Sequence, residues 1–100
     1  LNKLSTLSTL RRMLREMERD FGLHDLSASE LDVFLAANAL AGNEGASVTS
    51  DDIHRHELAS GLAQATYHRA LKSLLSRGLL ETADGYKTTL YKVRTDLIVE

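Results

Sequence analysis

The sequence predicts a mainly helical protein with a small β-hairpin near its C-terminus, an α+β fold. Three observations carry that expectation. Apolar residues recur every three or four positions through most of the first 77 residues, the period of helices with one buried face. Capping pairs (Ser27 with Glu30, Thr49 with Asp52) and the glycines at 22, 42 and 78 divide that pattern into separate helices. Beyond Gly78 the period changes. Leu79 to Thr82 and Thr88 to Val93 are rich in apolar, Thr and Tyr residues and flank Asp84-Gly85, as two strands joined by a turn do.

In the first segment Leu7, Leu10, Leu14, Met17 and Phe21 are spaced 3, 4, 3 and 4, so all five fall on one helical stripe. Arg11, Arg12, Arg15, Glu16 and Glu18 fill its other faces. Two heptads are short for a free-standing coiled coil, so the stripe needs cover. We assign these five residues to the contact of a homodimer, with packing inside the chain as the competing expectation. Gly22 ends this helix. Ser27 and Glu30 open the next, expected to bury Leu31, Phe34, Leu35 and Leu40 and to stop at Gly42. Asn43-Glu44-Gly45 reads as a turn and Ser47-Val48 as a very short strand. Thr49 opens a helix burying Ile53 and Leu58, broken at Ser60-Gly61, and a further helix follows with Tyr67, Leu71, Leu74 and Leu75 at core spacing. The expected organisation is an N-terminal helix at 1–24, a folded domain at 25–96 and a tail at 97–100.

Composition narrows the function. One hundred residues with 43% hydrophobic content suffice for one compact core. The absence of cysteine excludes disulfides, cysteine-rich zinc sites and thiol catalysis. No apolar run approaches the roughly 18 residues of a membrane span, and no signal-peptide block is present, so a cytoplasmic protein without a membrane partner is expected. The start at Leu1 rather than Met is compatible with a piece of a longer chain. Net charge is -2, but its distribution is uneven. Residues 25–62 set one arginine against seven carboxylates, whereas residues 63–94 set six basic residues against two acidic ones. Phosphate binding depends on local potential, so the asymmetry matters more than the total.

The most informative stretch runs from Leu62-Ala63-Gln64-Ala65-Thr66-Tyr67-His68-Arg69 through Leu71 and Leu74 to Gly78-Leu79-Leu80-Glu81. A small-residue turn, a Thr, an Arg three residues later, core leucines and then Gly-Leu-Leu-Glu resemble the recognition helix and first wing strand of winged helix-turn-helix regulators, broadly MarR-like. The resemblance covers about residues 27–94. It implies a winged helix-turn-helix domain with an additional N-terminal helix, a recognition helix near 64–77 and a wing near 81–93. The function implied is sequence-specific binding of double-stranded DNA by a transcriptional regulator that is not an enzyme. One departure is the connection between Ile53 and Thr66, longer than the MarR-like spacing. Fur-like metal regulators share that length, but their further ligands have no counterpart here.

Side-chain chemistry agrees with the resemblance. If Leu71 and Leu74 face the core, Gln64, Ala65, His68, Arg69 and Lys72 fall on opposite or flanking faces. Gln pairs bidentately with adenine and Arg with guanine in a groove that admits one helix. Thr66 near the helix start suits a phosphate beside the positive helix terminus, and Lys72 suits a backbone phosphate. Tyr86 and Lys87, at the hairpin tip, are candidates for a minor-groove or phosphate contact. Tyr67 reads as core, and Arg69 has a competing assignment as an ion-pair partner of Glu57 or Asp52. His54 and His56, two apart, point about 200° apart on a helix and do not share one metal, so neither metal nor cofactor is expected. No nucleotide-binding glycine loop, HExxH or GxSxG motif is present, which leaves catalysis without a candidate. The alternative function is a winged-helix module for protein contact within a larger assembly, which the acidic half favours. RNA binding ranks behind both, since only 5% of residues are aromatic.

Overall fold

Capping chemistry sets the helix boundaries in the computed structural model, which describes residues 2–83 and 89–94. Helix α1 (Lys3–Asp20) starts where the Asn2 side chain accepts the Ser5 N–H at 2.7 Å. It closes on Gly22, whose φ of 74° is left-handed. The Gly22 N–H reaches the Arg19 carbonyl and the Leu23 N–H the Glu18 carbonyl. Helix α2 (Ala28–Ala41) has the expected capping box: the Glu30 N–H donates to Ser27 Oγ and the Ser27 N–H to Glu30 Oε1. Helix α3 (Ser50–Arg55) begins with the Asp52 N–H donating to Thr49 Oγ1. Helix α4 (Gln64–Arg77) ends on Gly78, with the Leu79 N–H returning to the Leu74 carbonyl.

Strand β1 (Val48–Thr49) separates α2 from α3, and β2 (Leu80–Ala83) and β3 (Leu90–Val93) follow α4. The strands form one antiparallel sheet in the order β1-β3-β2. Leu80 faces Val93 and Ala83 faces Leu90 across β2 and β3, while Val48 faces Tyr91 across β1 and β3. The architecture is therefore mainly helical with a small three-stranded sheet, its elements in the expected order. The Asp84-Gly85 turn, Tyr86, Lys87 and the tail at 97–100 lie outside the described residues.

The core is built between α2, α3, α4 and the sheet. Val33, Phe34, Ala36 and Ala37 of α2 meet Ile53, Ala59, Tyr67, Leu71, Leu74 and Leu80, all buried. Three expected core leucines are corrected: Leu35 is 38% exposed, Leu40 39% and Leu58 46%. In α2 the buried face passes through Phe34 and the small alanines 36, 37 and 41, which let neighbouring helices approach closely, and Leu35 points away from that face. Helix α3 is only six residues long, so Leu58 falls in the following turns, where Ala59 fills the core instead.

Helix α1 stands apart from this packing, because none of its residues is buried. Leu7, Leu10, Leu14 and Met17 are 50–57% exposed. Phe21, just past the helix, packs half-buried against the core, and Leu23 lies within it. The described residues extend 52 Å along the longest axis, against 30 Å and 23 Å on the others. Among the described residues no helix is long and apolar enough to cross a membrane.

Candidate nucleic-acid interface

Helix α4 has two unlike faces because its apolar residues fall on one side. Tyr67, Ala70, Leu71 and Leu74 are buried; Gln64, Ala65, His68, Arg69 and Lys72 are exposed. At 100° per residue the exposed five share an arc of about 140°, along about 12 Å of helix. No carboxylate occurs anywhere in α4. Five of the eight residues expected to contact DNA thus form one continuous ribbon. Thr66 is set at its margin, half-buried, where its Oγ1 lies 3.4 Å from the Arg69 guanidinium. Gln64 and His68 approach each other at 3.5 Å, one turn apart. The competing ion pair for Arg69 does not form: Asp52 is taken by Arg55 at 3.0 Å, and Arg69 has no carboxylate partner among the described residues.

Both ends of the helix are tied to the body. Near the N-terminal end, the Tyr67 hydroxyl donates to the Ser50 carbonyl at 2.9 Å and accepts from the Ser50 hydroxyl at 3.0 Å. Burial pushes the Tyr67 phenol above its ordinary value, although the Ser50 contact works the other way. The Tyr67 ring stacks on His54 with centroids 4.1 Å apart and planes within 5°. His54 Nε2 in turn donates to the Leu62 carbonyl at 3.0 Å, which fixes the tautomer and the connection from α3 to α4. His56 accepts the Leu58 N–H through Nδ1. These two histidines therefore hold the long connection in shape. Among the described residues no group of three or more His, Asp or Glu side chains is placed to hold a metal.

At the C-terminal end, Glu30 reaches from the first turn of α2 and is almost fully buried. It accepts from the Ser73 hydroxyl and from Arg77 Nε, the latter at 3.1 Å. Arg77 also bridges to Asp25 at 3.1 Å. The Ser73 hydroxyl first, and the Ser27 N–H next, hold the Glu30 carboxyl down at about 2; burial opposes them, while the Ser27 side chain and the Arg77 charge add to the lowering. Between the two anchored ends a shallow groove of about 300 Å³ runs from Ser27 and Ser29 to Thr66, Arg69 and Ser73.

No known protein family, curated protein or solved structure matches the chain.

The α4 N-terminus has a further property. Its N-cap is Ala63, which makes no side-chain cap, so the first-turn N–H groups are left to solvent or to a ligand on the same side as Gln64 and Ala65. On the adjacent strands, Glu81 pairs across to Lys92 in register and forms an ion pair with Arg94 at 3.4 Å. The clamp of Glu30 on Ser73 and Arg77 had no sequence signal beyond the capping box, since its partners lie 43 and 47 residues away.

Proposed function

We propose that the chain is a winged helix-turn-helix transcriptional regulator that binds double-stranded DNA sequence-specifically. Helix α4 enters the major groove and the β2–β3 pair acts as the wing. The observation that carries the reading is the exposed ribbon of Gln64, Ala65, His68, Arg69 and Lys72 on a carboxylate-free helix anchored at both ends. Gln64 and Arg69 supply the bidentate donors that distinguish bases. Lys72 and the uncapped helix start supply phosphate contacts that set register. Anchoring matters because a reading helix that rocks loses the geometry on which bidentate pairing depends.

The regulator acts in the cytoplasm as a homodimer, with the exposed Leu7, Leu10, Leu14 and Met17 stripe as its contact. An 18-residue helix with no buried side chain has little to stabilise it in isolation, and a second copy offers the same stripe in two-fold symmetry. Two half-sites then combine weak contacts into useful affinity. A second reading, a protein-contact module, is favoured by the acidic stretch at 25–62 and its exposed Leu35, Leu40 and Leu58. Fluorescence anisotropy on a random duplex library separates the two. DNA binding requires affinity that falls steeply as salt rises, and no salt-sensitive binding at low ionic strength refutes it.

A further inference from the structure

Helix α1 carries a charged surface that the reading of α4 does not use. Arg11, Arg15 and Arg19 follow one another at intervals of four, with Arg12 beside them, so the four guanidiniums share an arc of about 100°. The centre of that arc is about 135° around the helix from the apolar stripe. All four side chains are exposed, and none has a hydrogen bond or ion pair among the described residues, although Glu16 stands within reach along the helix. They border an open trough of about 640 Å³ together with Ser8, Glu16 and, at the edge of the apolar stripe, Leu7.

Like charges four residues apart destabilise a helix, and α1 has no buried residue to compensate. An anion lying along the trough removes that repulsion. The face also has the right scale for a nucleic-acid backbone: Arg11 to Arg19 spans about 12 Å, the axial length of three or four successive phosphates on one strand. Guanidinium is the side chain best matched to phosphate oxygens, through paired donors. The root of α1 packs on the same core as α4 through Phe21 and Leu23, and Asp25 accepts from Arg77 in an exposed ion pair at the C-terminal end of α4. With the apolar stripe turned to a second copy, the arginines face outward.

We propose that the arginine face of α1 is a second phosphate-binding surface, which grips the backbone of the duplex that α4 reads and adds affinity without sequence preference. The proposal rests on the DNA-binding reading of α4 but concerns residues that reading leaves idle. It also accounts for how a chain of net charge -2 competes for a polyanion.

The test uses the full chain with Arg12→Gln, Arg15→Gln and Arg19→Gln together, leaving Arg11, which borders the apolar stripe. Affinity for a 40-base-pair duplex is measured against salt, alongside Arg69→Ala/Lys72→Ala. The expected result is a slope of log affinity on log salt reduced by about 2 to 3 per chain, with sequence preference kept. Lysine at the same three positions keeps the slope. If the triple variant loses helicity, Arg15→Gln alone reads a reduction of about 0.9. An unchanged slope overturns the proposal, even where the α4 variant loses binding and so upholds the reading of α4. A reduced slope with an α4 variant that binds normally leaves the arginine face standing and refutes α4 as the reader. Lost binding to phosphatidylserine vesicles with duplex binding intact assigns the face to a membrane surface, and a changed sedimenting size assigns it to contact between copies. Either result overturns the proposal, as does wild-type protein that binds no duplex.

Discussion

Replacing Glu30 with Gln tests whether the far end of α4 is held as described. The carboxyl is lowered from 4.5 to about 2, chiefly by the Ser73 hydroxyl and then by the Ser27 N–H, which corresponds to about 3 kcal/mol in favour of the ionised form in the folded state. Gln preserves shape and some hydrogen bonding but not the charge that Arg77 and Ser73 meet. The expected cost at pH 7 is therefore about 1–3 kcal/mol. The pH dependence follows from the direction of the shift. A lowered folded-state value gives stability that is fully present above 4.5 and lost as pH falls through about 2. Urea unfolding of both proteins at pH 7, 4.5 and 2.5 thus shows a gap that narrows toward acid. Taking the difference between proteins cancels the contributions of the other carboxylates. A gap of equal size at pH 7 and 2.5, or none at pH 7, refutes the clamp.

Other substitutions probe separate parts of the molecule. Lys72→Ala weakens binding to all duplexes about equally and lowers the salt slope by about 0.9, read by anisotropy at several ionic strengths; a sequence-selective loss contradicts a phosphate role. Leu71→Ala, at a position 5% exposed, costs roughly 2–5 kcal/mol in urea unfolding through the cavity it leaves, whereas a cost near zero reverses the assigned face of α4. Leu10→Glu with Leu14→Glu changes two residues 51% and 53% exposed in the protomer, so sedimentation should show a folded monomer with reduced DNA affinity. Unfolding places the stripe in the protomer's core, and persistence of the dimer places the interface elsewhere.

The local signals in the sequence proved the most legible. The Ser27 and Glu30 box, the Thr49 cap and the glycine ends at 22 and 78 are short-range features whose chemistry is complete within a few residues. The face of α4 was readable because Leu71 and Leu74 alternate with polar neighbours. Helix α2 was not, since Leu31, Val33, Phe34, Leu35 and several alanines surround its axis and give its periodicity no single direction. The early end of α3 depends on turns around His56 and Ala59, which no cap residue announces. His54 illustrates a further limit. Its stacking on Tyr67 depends on a contact 13 residues away, and spacing within its own helix says nothing of that. The exposure of α1 is likewise a property of the whole domain, because periodicity shows that a stripe exists but not what covers it.

Whether α4 reads DNA is decided by Arg69→Ala. Duplexes enriched by the wild-type protein from a random library are compared with shuffled versions, using both proteins at one fixed salt concentration. Arg69→Ala is expected to lose about 1–3 kcal/mol on the enriched duplex, to relax preference at one base position and to keep its thermal unfolding profile. Equal affinity of both proteins for the enriched duplex, or wild-type protein that enriches none, contradicts it.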